Sequence, residues 1–396
     1  MTLEHVKSHP KTYGIYLHIP FCKQACHYCN YHFSTTLKRK GELVDAICKE
    51  LLLRKNELEG VVETIYFGGG TPSLLSKEEL SQIFDTIYAN FSVSENPEIT
   101  LEANPDDLVS VRNEAETQTK LKSPFEAFKE VGINRLSIGV QSFFESDLKW
   151  MNRAHNASEA MACILEAKKH FENITIDLIY GIPGMSVERW RENIETAFSL
   201  DIPHISGYAL TVEPKTALEK FIETGKTPPV DDDLSQEHHE VLIEMTEEAG
   251  LDNYEFSNFG KPGFYSQNNL AYWEGKPYLG IGPSAHSFDG VSRSWNVSNN
   301  IKYIKSIDAG ELPSEREVLS KKDRYNEYVM TRLRTQEGIS LEKVEADFGA
   351  EFLEYLMSQA KLAIESKNLQ IEDGYMSVSK KGKFLTDGLA GDLFWV

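Results

Sequence analysis

Ile19-Pro20-Phe21-Cys22-Lys23-Gln24-Ala25-Cys26-His27-Tyr28-Cys29 is the stretch that decides how this chain is read. The three cysteines are spaced C-x3-C-x2-C and follow an alternating apolar stretch, Tyr13 to Ile19. A loop with three thiolates can wrap one face of a cubane iron–sulfur cluster, and thiolates are the soft ligands such clusters take. Three ligands for four irons leave one iron open, which points to chemistry rather than electron storage. The alternative is zinc. A structural zinc site closes with four ligands, and His18, His27 or His32 could supply the fourth. Zinc knuckles, however, pair C-x2-C with a distant second pair, and this chain has none. Cys48 and Cys163 stand alone in helix-like segments and read as buried thiols.

Outward from this loop, strand-like and helix-like stretches alternate. Tyr13–Ile19 leads into the loop and a helical run over about 37–58. Thr64–Phe67 is a β-branched and aromatic strand ending in Gly68-Gly69-Gly70. Lys77–Asn90 carries Leu80, Ile83, Phe84 and Ile87 at helical spacing. Glu98–Ala103, Arg135–Val140, Ile174–Tyr180 and His204–Leu210 read as strands three to six, with helical pattern at 124–131, 145–170 and 187–200 between them. Such units imply parallel strands with crossover helices. Each strand ends in polar or glycine-rich residues, as in a (β/α) barrel, whose chemistry gathers there. The predicted fold is α/β. A partial, TIM-like (β/α)6 barrel occupies 1–228, and a mixed α+β domain follows over 229–396. That domain begins with a long helix, 231–249, and an aromatic, glycine-rich stretch, 254–288. Helical runs at 321–334, 341–347 and 351–366 precede a short hairpin turning at Asp373-Gly374. This winged-helix-like end lacks a basic recognition helix and reads as a packing or partner module. Asp106–Ser123 reads as a loop insertion.

The 396 residues suffice for more than one domain. The net charge of −20 argues against a duty on nucleic acid, whose binding is dominated by cationic contacts to phosphate. No apolar run approaches the roughly 20 residues that span a bilayer, and Met1–Thr12 has no apolar signal core. The expected location is cytoplasmic. Five cysteines, three of them clustered, are not a disulfide framework.

Several strand ends carry candidate chemistry. Three consecutive glycines let a backbone approach a ligand closely. Glu102, among apolar strand residues, must be paired or face a polar cavity; a salt bridge inside the barrel is the other reading. Gln141 ends the fourth strand, Asp177 lies in the fifth, and Arg153 falls between them in Met-Asn-Arg-Ala-His. His18 alternates with Tyr16 on the first strand, facing either the cluster or the core.

With Tyr16-Leu17-His18-Ile19-Pro20-Phe21 before it and the aromatic Tyr28 inside it, the cysteine loop resembles that of the radical S-adenosylmethionine (SAM) superfamily. The closer resemblance is to the coproporphyrinogen dehydrogenase/HemW subfamily, over most of the chain to about residue 290. It implies an open partial barrel and a [4Fe–4S] cluster on Cys22, Cys26 and Cys29. The open iron would chelate the amino and carboxylate groups of SAM, and one electron would cleave SAM to a 5′-deoxyadenosyl radical. It further implies SAM contacts from Tyr16, Tyr28, Gly69, Gly70, Thr71, Glu102, Gln141, Arg153 and Asp177.

The subfamily holds oxygen-independent coproporphyrinogen III oxidases, which decarboxylate porphyrinogen propionates, and heme-binding chaperones. The oxidases carry a further cysteine two positions after the third; here that residue is Tyr31. They also carry a long extension before the first strand, where about a dozen residues stand here. Both features imply the chaperone type, with heme or a porphyrin as cargo and heme-accepting proteins as partners. The oxidase is the alternative, and no catalytic residue is assigned. The chaperones share a His-Asn-x-x-Tyr-Trp motif, which here is Asn268-Asn269-Leu270-Ala271-Tyr272-Trp273. An amide is not a usual axial ligand of heme iron. His286 could take that role, or be a structural loop histidine. Tyr272, Trp273 and Tyr278 could cover a planar macrocycle or pack a domain junction.

Overall fold

A computed structural model describes residues 11–108 and 123–396. Most of the expected insertion over 106–123, and of the stretch 1–12, lies outside them. The strands β1 (Thr12–Ile19), β2 (Val61–Gly69), β3 (Val93–Ala103), β4 (Arg135–Gln141), β5 (Asn173–Tyr180) and β6 (His204–Ala209) lie side by side in chain order, all parallel. Each is joined to the next through helical crossovers, as parallel pairing requires. Their two faces differ by the period of two. In β1, Ile15, Leu17 and Ile19 are fully buried beneath the crossover helices. The other face of the strands carries Tyr16, Tyr66, Glu102, Ser137 and Asp177 toward the barrel interior, in adjacent registers.

The main sheet does not stop at the sixth strand. Six more strands follow: β7 (Asp252–Glu255), β8 (Asn258–Gly260), β9 (Tyr278–Ile281), β10 (His286–Phe288), β11 (Ser292–Asn296) and β12 (Ser314–Val318). The order is β12-β11-β10-β9-β1-β2-β3-β4-β5-β6-β8-β7. β9 runs parallel to β1, with Gly14 opposite Tyr278, and β8 runs antiparallel to β6. The aromatic stretch 254–288 is thus largely sheet, with a helix at Gln267–Trp273. In packing terms the main core crosses residue 228, since Leu242, Phe259, Ile281 and Ile304 belong to it. A second core, with Tyr325, Phe348, Leu356 and Met376, lies within the last eighty or so residues. There, helices Lys321–Leu333, Leu341–Phe348 and Ala350–Glu365 precede the hairpin of β14 (Leu369–Glu372) and β15 (Tyr375–Val378). β15 also pairs with β13 (Ile339–Ser340).

Two local departures bear on the site. The helical pattern over 145–170 is two helices, Glu145–Trp150 and Ala157–Ala167. Asn152 takes a positive φ of 59°, and Asn156 begins the second helix with a capping box to Glu159. Arg153 falls in the break. The end of β4 carries an irregularity between Ile138 and Gln141, and Gln141 has φ 67°. Such a bulge re-aims the side chain that follows it.

Candidate functional site

The cysteine loop is fixed from several sides. Cys22 N–H donates to Ser34 O (3.1 Å), and Ser34 N–H to Pro20 O (2.9 Å). Gln24 Nε2 donates to Asn152 O (2.9 Å), while Asn152 Nδ2 donates to Ala25 O (2.7 Å). His27 Nδ1 and Trp150 O lie 2.8 Å apart, and Lys23 pairs with Asp106 and Asp107. The turn after β4 therefore clamps the loop against the strand ends. All five cysteines are free thiols.

Cys22, Cys26 and Cys29 are half-buried in the wall of a cavity of about 360 Å³ at the C-terminal ends of β1–β6. Tyr28, Gly69, Gly70, Thr71, Glu102, Gln141, Arg153 and Asp177 line the same cavity. Of the twelve candidates, only Tyr16 lies elsewhere, in the wall of a neighbouring cavity. Its ring stacks on Tyr66 at 6.0 Å. Among the described residues, no set of three or more His, Cys, Asp or Glu forms a group that could hold a metal ion. The three thiols border an open cavity.

Arg153 Nη1 lies 3.3 Å from Cys26 Sγ, and its Nη2 donates to Gly139 O (2.8 Å) and Asn104 Oδ1 (2.5 Å). Asn104 in turn donates to Thr71 Oγ1 (2.9 Å). The Nε of Arg153 is buried without a partner among the described residues, an orphan donor at the cavity wall. Tyr66 Oη donates to Glu102 Oε1 (2.9 Å) and Gly69 N–H to Glu102 Oε2 (3.1 Å). Ser137 Oγ donates to Asp177 Oδ1 (3.3 Å). Burial, and then the nearby Asp177, push Glu102 up to about 7. Burial likewise pushes Asp177 up to about 6 and Cys22 up to about 11. Among the described residues Glu102 has no salt bridge, the alternative that its sequence context left open. The cavity thus holds thiols, two carboxyls whose ionisation a cationic ligand would favour, and a guanidinium suited to a carboxylate. This donor set fits both an iron–sulfur cluster and SAM. Asn104, Tyr66, Ser137 and Asn152 escaped the sequence reading. Only Asn104, at the strand-ending Asn-Pro, left a signal.

The second cavity, about 1110 Å³, opens beside the first, and Asn30 and Tyr31 border both. Tyr272, Trp273, Tyr278 and Phe288 form an aromatic wall, with Tyr272 and Tyr278 4.6 Å apart edge-on. His18, His32 and His286 also line it. His18 is occupied: its Nδ1 is 3.1 Å from Tyr16 Oη and its Nε2 is 3.0 Å from His32 O. His32 Nε2 lies 2.7 Å from Asn300 Oδ1. The imidazole of His286 has no hydrogen bond among the described residues, and its ring centroid lies 6.2 Å from that of Trp295. Asn268 does not line the cavity; it is buried, with Thr64 donating to its Oδ1 (3.2 Å).

A partial barrel with three thiols at its strand mouths is the architecture of radical SAM proteins, and residues 16–197 match the Radical SAM superfamily. Residues 319–385 match the HemN C-terminal domain. The chain is 32% identical to the heme chaperone HemW of Bacillus subtilis, covering 95% of this chain and 97% of that one. It is also 32% identical to the HemW of Lactococcus lactis, over 96% and 99%. The fold superposes on coproporphyrinogen III oxidase (HemN) of Escherichia coli with a TM-score of 0.81 at 22% identity, covering 98% of this chain and 90% of that one. The chain belongs to the HemW family of radical SAM proteins. The cofactors of that superfamily are a [4Fe–4S] cluster and SAM. Among the described residues no helix is long and apolar enough to cross a membrane.

Proposed function

We propose that this protein is a cytoplasmic heme chaperone that carries heme in the second cavity and passes it to acceptor proteins. The observation that carries the reading is the unpartnered His286 in a large aromatic-walled cavity beside the cysteine site. Tyr272, Trp273, Tyr278 and Phe288 offer faces to a planar macrocycle, and His286 offers its iron an imidazole. Cys22, Cys26 and Cys29 hold the cluster. Glu102, Asp177, Gln141 and Arg153, with the backbone of Gly69, Gly70 and Thr71, hold SAM, and Tyr28 closes the cavity beside Cys26. Tyr16 acts from behind, through its stack on Tyr66 and so on Glu102. When bound, the cluster and SAM would supply one-electron redox chemistry. Arg153 steadies the sulfur of Cys26, and the two carboxyls set the charge that the SAM pocket accepts. In this reading the barrel, 1–228, holds the cofactors and lends β1 and the cysteine loop to the cargo wall, and the remainder, 229–396, supplies the other residues of that wall. Tyr31, at the junction of the cavities, stands where the oxidases carry a cysteine.

The test is a heme titration followed by absorption, beside an anaerobic assay of coproporphyrinogen decarboxylation on the same cluster-loaded sample. Expected are stoichiometric heme, no decarboxylation, and weaker binding with a shifted Soret band in His286→Ala. Robust decarboxylation without heme binding would replace the chaperone by the enzyme.

A further inference from the structure

The net charge of the whole chain is −20, yet the second cavity is lined by more cations than anions. Lys276, Arg293, Arg324 and Lys343 face Glu274, Glu327 and Asp347. Three of the cations are already paired: Lys276 with Glu274 (3.4 Å), Arg293 with Glu327 (2.7 Å) and Lys343 with Asp347 (2.6 Å). The fourth, Arg324, has no side-chain hydrogen bond, ion pair or ring contact among the described residues.

Its position is set by the fold. Arg324, Glu327, Tyr328 and Thr331 recur at helical spacing on Lys321–Leu333 and all line the cavity. One turn from Arg324, Glu327 holds Arg293, which lies opposite Phe288 in the β10–β11 pair with its guanidinium 5.9 Å from that ring. His286 lies two residues before Phe288 on the same strand, hence on the same face. The cavity wall therefore runs from the free imidazole of His286, past the Phe288 ring, to a pair of guanidiniums. Only one of these has a carboxylate to itself.

We infer that Arg324, assisted by Arg293, binds carboxylates at the edge of the cargo, so that this cavity selects a planar apolar macrocycle bearing propionates. The inference rests on the chaperone reading and adds a specificity residue to it. A guanidinium takes a carboxylate through two parallel hydrogen bonds, and the apolar wall accounts for the remainder of the ligand. Arg324 does not touch the metal, so its contribution is separable from that of His286.

The experiment titrates the full-length chain with heme and with heme dimethyl ester, whose carboxylates are masked. Wild type, Arg324→Gln and, as a remote cation control, Lys381→Gln are compared, with circular dichroism confirming the fold of each. Wild type should bind heme about tenfold more tightly than the diester, the size of one charge-assisted hydrogen bond. Arg324→Gln should bring heme down to the diester's affinity, leave the diester unchanged and leave the Soret band in place; Lys381→Gln should change nothing. Equal wild-type affinity for the two probes, or an equal loss of both in Arg324→Gln, overturns the inference and leaves the chaperone standing. If neither probe binds, the chaperone reading falls, and carboxylate selection with it.

Discussion

Gly70 shows how a residue can be picked for a sound reason and be needed for another. Three glycines at a strand end suggest a backbone bared for a ligand. A Cβ on Gly70 would sit 2.6 Å from Phe21 O and 2.7 Å from Ile19 O, and one on Gly69, at φ 106°, would meet the His18 ring at 2.4 Å. The protein's own atoms already fill these spaces. Gly70→Ala should therefore destabilise the ligand-free chain, by about 1–3 kcal/mol, before SAM is added. Denaturant midpoints of the apo variant check this, and an unchanged midpoint would return the glycine to a purely ligand-facing role. The cysteines are simpler. Alanine at Cys22, Cys26 or Cys29 should abolish uptake of about four irons and four sulfides on anaerobic reconstitution, whereas alanine at Cys48 or Cys163 should not. Stoichiometric zinc with no iron uptake would count against the cluster. The two carboxyls at the cavity give a pH prediction. Glu102 and Asp177 are raised in the folded chain to about 7 and about 6, so folding favours their protonated forms. Their contribution to apo stability is greatest below the ordinary carboxylate value of about 4. It falls as pH rises and is fully lost above about 7. Glu102→Gln should flatten that decline and raise apo stability at pH 8. Urea midpoints from pH 5 to 8 would show it, and parallel curves for the variant and wild type would refute it.

Among the elements, the helix Lys40–Arg54 is tied to the second half of the chain by the buried carboxylate of Glu50 and by its neighbour Arg54, which donates to Gly280 O (2.7 Å) and Ser287 Oγ (3.0 Å). Glu50 has no exposed surface. Its oxygens accept from Arg54 (3.1 Å), Asn296 (2.7 Å), Gly282 N–H (2.8 Å) and Tyr303 Oη (2.5 Å). Removing one partner from such a network strands the rest, at roughly 3–5 kcal/mol. Glu50→Ala should unfold at markedly lower denaturant and loosen the β9–β11 wall of the heme cavity, so heme affinity should drop as well. An unaltered midpoint would mean the network is dispensable. This tie could not be read from the sequence, because its members are scattered from 50 to 303 and nothing local marks them as partners. The barrel strands were legible because apolar and polar residues alternate in them over an apolar face. The break at 151–156 was hidden because buried apolar residues recur on both sides of it, Leu148 and Met151 before and Ala160, Cys163 and Ile164 after, and only Asn156 with Glu159 announces the restart. The site was legible where chemistry is local, as in the cysteine spacing. It was illegible where side chains act through others, as Tyr66 acts on Glu102 and Asn104 on Arg153. The amide at Asn268 belongs to this class. It bonds Thr64 of β2, far from it in sequence, on one side and Tyr272 of the second cavity on the other.

At the scale of the whole molecule, the cargo cavity is made jointly. β1 supplies Tyr16 and His18, the helix Gln267–Trp273 with β9 and β10 supplies the aromatic wall, and the helices 321–333 and 341–348 close the far side. The charged strand β12, Glu315-Arg316-Glu317, forms one edge of the main sheet, and charge at an edge discourages pairing with other chains. β1 is different, because it is interior only once β9 has docked against it. Tyr278, where β9 begins, follows Ile19, the end of β1, by 259 positions. A ribosome adding about 5–20 residues per second needs roughly 10–50 s to cover that distance. Throughout that interval the strand preceding the three thiols has a bare flank in the nascent chain. The edge of β1 beside the three thiols is thus among the last stretches of the main sheet that synthesis can cover.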